Sequence, residues 1–100
     1  MRCLTAARDT TRAMIDSAED CRFDNTNEHA SVTLCRKSNA ADAVLDTVRA
    51  ALELGGGAAF STSSVVARMF RDAHGVLYHP LPTDRQEPFS GRVALGLEPV

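Results

Sequence analysis

Tryptophan is absent from this chain and tyrosine occurs once, so four phenylalanines are the only other rings. A core built on aromatic anchors is therefore excluded. Lysine is equally scarce: Lys37 stands alone against ten arginines. That imbalance points to GC-rich coding and a bacterial or phage source. No sign of charge dominates, since the formal net charge is −2. The basic footprint of a nucleic-acid binder is missing. No stretch approaches the roughly 20 apolar residues of a membrane span. Met1–Ala18 lacks the apolar segment of a secretory signal. The three cysteines, Cys3, Cys21 and Cys35, are odd in number and follow no disulfide framework. Reduced thiols in a cytoplasmic protein without membrane contact are the expectation.

What is present is modest. One hundred residues make one domain, 1–100, with a small core. Nine leucines, eight valines, four phenylalanines and one isoleucine supply it, beside fifteen alanines that bury little area. A core this thin gains from a second copy, so a homodimer is expected.

The clearest element is Asn39–Gly57. Asn39 is an N-cap candidate, and Asp42 lies where the helix dipole favours an anion. Ala41, Val44, Leu45, Val48, Ala51 and Leu52 recur on one face, while Asp42, Asp46, Arg49 and Glu53 recur on the other. Gly55, Gly56 and Gly57 supply a stop.

Around this helix, Leu4–Arg22 predicts a first helix with Leu4, Ala7, Thr11, Met14, Ile15 and Ala18 as its stripe. Asp24–Asn27 is turn chemistry. Ala30–Arg36 alternates and predicts a strand. Ser61–Ala73 predicts a third helix, with Gly75 after it. Val76–His79 predicts a short strand, Pro80–Gly91 a polar loop, and Arg92–Glu98 a last strand ended by Pro99. The expected fold is α+β in the order α-β-α-α-β-β. Three mainly antiparallel strands would be covered on one face by about three helices.

No constellation declares a chemistry. Cys3, Cys21, Cys35, His29, His74 and His79 are zinc-ligand types, but their spacings do not build a structural site. Cys35 has no partner base fixed by sequence. The triple glycine lacks the Gly-Lys-Ser/Thr tail of a phosphate loop. Catalytic, metal and cofactor residues are accordingly assigned to none. Asp16, Asp20, Asp24 and Glu28 recur every four residues beside Glu19. Together they suggest a partner-binding acidic row, if one helix carried them all. Expecting the helix to stop near Phe23 breaks that row. The loop Pro80–Phe89 is a second candidate surface.

The leading expectation is a small non-catalytic interaction module. It would be a regulator or inhibitor from a phage or mobile element, masking a protein partner of unknown identity. The alternative is a helix-turn-helix-like DNA-binding regulator that presents Ser63, Ser64, Arg68 and Arg71. The second alternative is a small dimeric enzyme with its active site at the subunit interface.

Overall fold

A computed structural model describes residues 1–99 and shows four α-helices among them: α1 (Arg2–Ala18), α2 (Asn27–Ala59), α3 (Val65–Ala73) and α4 (Thr83–Ala94). Two short 3₁₀ turns, Glu19–Cys21 and His74–Leu77, complete the order. No strand occurs among the described residues. The α+β expectation and its three-stranded sheet are therefore overturned by an all-helical fold.

The largest correction concerns α2. Its start is Thr26, whose hydroxyl accepts from the His29 backbone N–H at 3.1 Å. Glu28 lies in the first turn, where the dipole favours it. The predicted strand Ala30–Arg36 is the front of this helix, and Asn39 lies in its interior instead of capping it. Seven residues satisfy a period of two by accident. Over a longer window Ala30, Thr33, Lys37, Ala41, Val44 and Val48 recur at threes and fours, and packing along that stripe outweighs the strand preference of Val32 and Thr33. The glycines do interrupt the helix, as expected, although a further short turn follows. The helix breaks at Gly56, at φ 61 and ψ −152, and resumes to Ala59. That backbone geometry is open almost only to glycine.

The other two predicted strands fail for local reasons. Val76–His79 belongs to the turn that follows α3. The polar loop Pro80–Gly91 is mostly α4, begun by the Arg85 and Gln86 N–H groups on the Pro82 carbonyl at 3.0 and 2.9 Å. Arg92–Glu98 is the end of α4 and its cap. Gly96 takes φ 70, its N–H donates to Val93 O at 3.0 Å, and the Leu97 N–H donates to Arg92 O at 2.9 Å. These are the paired bonds of a glycine-closed helix end.

The first and third helices lie close to their predicted places. α1 stops at Ala18, earlier than expected, because Glu19, Asp20 and Cys21 all adopt positive φ (46, 52 and 65). α3 starts at Val65, capped by Ser64, whose side chain accepts from the Ala67 N–H at 3.3 Å.

α2 is the spine. At 1.5 Å per residue its residues 27–55, before the break at Gly56, span roughly 44 Å, close to the longest dimension of the molecule (50 × 27 × 21 Å). α1 folds back against it, and α3 and α4 each pack on it rather than extensively on one another. The buried apolar residues are all alanines: Ala7, Ala41, Ala43 and Ala67. Small side chains let the helices approach closely but leave little apolar area in the contact. Ile15 on α1, Leu54 on α2, and Val65 and Met69 on α3 remain more than half exposed. Among the described residues no helix is long and apolar enough to cross a membrane.

Candidate functional site

Two buried polar side chains stand out, and neither was singled out from the sequence. The first is Lys37, near the middle of α2 and only 7% exposed. It falls on the same stripe as Ala41 and Val44, so α1 and α3 close over it. Its Nζ donates to the Leu81 carbonyl at 3.2 Å, just before α4. No carboxylate among the described residues lies within ion-pair reach of it. An ammonium carries three donors, and the other two find no acceptor in the described structure. The lysine forms one wall of a groove of about 340 Å³ between α1, α2 and α3, shared with Met14, Ala40, Val44, Asp72 and Val76. Apart from Lys37 and Asp72, the only polar lining group is Thr11.

The second is Gln86 on α4, 5% exposed. Its Oε1 accepts from the Ser38 hydroxyl at 3.0 Å. Its Nε2 donates to Ser90 Oγ at 2.9 Å and to Cys35 Sγ at 3.4 Å. The Cys35 thiol in turn points at Ser90 Oγ at 3.7 Å. One amide thus reaches α2 twice, at Ser38 and Cys35, and spends its remaining donor on Ser90 one turn along α4. A buried amide without those partners would be costly. The arrangement is a clasp, with no group placed to move a proton at a substrate.

A third region lies at the α1–α2 corner. Phe23 stacks on His29 with ring centres 4.5 Å apart. Beneath them Met14, Ala18, Ala30 and Thr33 line a small cavity of about 230 Å³. The Thr33 hydroxyl is buried there without a hydrogen-bond partner.

The acidic residues are dispersed. Asp16 is on α1, Glu19 and Asp20 lie in the left-handed turn, Asp24 in the connection, and Glu28 in the first turn of α2. All five are exposed. Because α1 ends at Ala18, they do not share a helix face. Asp20 pairs with Arg22 at 3.5 Å, with both side chains largely in solvent.

Of the four residues in the DNA-reading alternative, Ser64 has its hydroxyl engaged in capping α3. Ser63 sits in the preceding turn, its N–H donating to Ser61 Oγ at 3.4 Å. Arg68 and Arg71 are exposed on α3. Among the ligand-type residues, His74 Nδ1 donates to the Phe70 carbonyl at 2.6 Å. The three cysteines are unbridged. No three His, Cys, Asp or Glu side chains converge on a metal-sized point among the described residues.

Fold and site together define an all-helical packing domain whose buried polar groups bind helix to helix. Residues 2–81 match the family described as acyl-CoA dehydrogenase, C-terminal domain, and the chain belongs to that family. No curated protein and no solved structure matches it. The matched segment takes in α1, α2, α3 and the turn after α3, whereas α4 lies beyond it.

Proposed function

We propose that the chain is an assembly domain: a helical module that covers its apolar faces by packing against a second copy of itself. The observation that carries this reading is area. The molecule exposes 7232 Å², where a compact monomer of 10.8 kDa exposes about 5,500 Å². Its radius of gyration is 16.0 Å, against about 13 Å for a compact domain of this length. The excess, roughly 1,700 Å², exceeds the ~800 Å² that one partner contributes to an ordinary interface. Leu54, Phe60, Val65 and Met69, at 91, 73, 54 and 53% exposure, lie along the far end of α2 and the start of α3. They supply the apolar part of such a face. A net charge of −2 opposes self-association only weakly.

The family takes its name from the dehydrogenation of acyl-CoA, a reaction that needs an electron acceptor. The residues here do not fit a dinucleotide acceptor on their own. The triple glycine interrupts α2 at Gly56, and the starts of α2 and α3 each give one N–H to their own hydroxyl cap. In this reading the chain contributes architecture. Sedimentation equilibrium on the isolated chain tests the proposal. A dimer or higher oligomer at micromolar concentration supports it, and a folded monomer across the accessible concentration range overturns it.

A further inference from the structure

We propose that α4 is exchanged between two copies of this chain, the α4 of each lying on the α2 of the other. This rests on the self-association argued above and says how the copies are joined. Among the described residues, the hydrogen bonds that join distant parts of the chain all fasten the segment 81–90 to α2. The Ser38 hydroxyl donates to Gln86 Oε1 at 3.0 Å, and Gln86 Nε2 donates to Cys35 Sγ at 3.4 Å. The Cys35 thiol reaches Ser90 Oγ at 3.7 Å, and Lys37 Nζ donates to the Leu81 carbonyl at 3.2 Å. These directional bonds make Cys35, Lys37 and Ser38 a docking surface for a helix that carries Gln86 and Ser90 one turn apart. A second copy of the chain offers an identical helix.

α4 is also separable. It packs extensively on α2 alone, and its one buried side chain is Gln86. Phe89 and Val93 are only half-buried, so lifting α4 away uncovers little apolar surface. Its 12 residues include Pro88 and Gly91, and a free helix so short and so interrupted does not persist in water. Once detached, it needs an α2 to fold on, its own or another's. The link that carries it, residues 78–82, is short, and a short hinge invites exchange. Tyr78 in that link is 64% exposed. In the exchanged pair the two links pass one another, and each Tyr78 is covered by its counterpart. Exchange keeps every bond of the joint, so its cost is only the freedom lost on pairing.

Ser90→Cys, in the full chain with Cys3→Ser and Cys21→Ser, puts a thiol beside Cys35. Copper–phenanthroline oxidation at micromolar concentration then reports which copy each α4 lies on. Most of the chain should run as a covalent dimer on a denaturing gel, with peptide mapping placing the link between position 35 of one copy and position 90 of the other. The same chain without Ser90→Cys should give at least tenfold less covalent dimer. Inserting six glycine and serine residues after His79 frees α4 to close on its own α2, and should raise the dimer dissociation constant at least tenfold with helix content unchanged. A dimer by sedimentation whose disulfide is intrachain overturns the exchange and leaves self-association standing, whereas a monomer overturns both. If Ser90→Cys fails to fold by circular dichroism, the insertion decides alone, and an unchanged dimer constant overturns the exchange.

Discussion

Gln86 on α4 and Ser38 on α2 meet at 3.0 Å, the serine hydroxyl donating to the amide oxygen, although 48 residues separate them. The same amide donates to Ser90 and Cys35, so its burial is fully compensated. Gln86→Leu keeps the volume and leaves both serines without this partner. Stability should fall by about 1–3 kcal/mol, read as a lower urea midpoint. Amide exchange should quicken across α4 before it does across α1. Unchanged protection in α4 would show that its apolar contacts alone hold it.

Glu19 ends α1 in the left-handed region, at φ 46. A left-handed L-residue costs about 1–2 kcal/mol, most of which glycine avoids. Glu19→Gly should therefore stabilise the chain by about 0.5–1 kcal/mol, whereas Asp16→Gly, three residues earlier within the helix, should destabilise it by about 1 kcal/mol. Thermal melts of the two variants should move in opposite directions.

Thr26 caps the longest helix. Thr26→Ala removes the acceptor for the His29 N–H and should cost about 0.5–2 kcal/mol. Thr26→Ser retains the hydroxyl and should melt close to the parent chain. Far-ultraviolet circular dichroism during urea unfolding measures both.

Leu54 and Phe60 are exposed in the single chain. Leu54→Glu and Phe60→Glu should leave helix content unchanged and raise the dimer dissociation constant at least tenfold each, measured by sedimentation. A change at neither position would place the self-association face elsewhere.

Part of this fold was readable in advance. The 3.6-residue period of Leu4–Ala18 and the serine-rich start of α3 describe real helices. Their packing is local, so local pattern sufficed. Ala30–Arg36 misled because Val32 and Thr33 are β-branched and a short window cannot separate the two periods. Thr26 as a cap, with Glu28 behind it, is the signal in the sequence that marks the true start of this helix. α4 was hidden by its prolines. Pro82 stands just before the first turn, where no N–H is needed, and Pro88 lies inside the helix, where it gives up the bond to the Asp84 carbonyl. Gly96 looked like a strand residue but is a helix terminator. The groove was not legible, since Thr11, Lys37 and Asp72 meet only once three helices are placed. A lone lysine on an otherwise apolar stripe was nonetheless a visible signal for Lys37.

The spine arrangement sets how the molecule comes apart. α1, α3 and α4 lean on α2 with little extensive contact among themselves. Detaching one of them therefore removes few contacts from the other two. Such a chain opens in separate pieces, each with its own free energy, before it unfolds as a whole. The clasp at Gln86 governs one piece and the Ser64 cap begins another. The middle of α2, from Lys37 to Ala43, should be the last to exchange its amide protons.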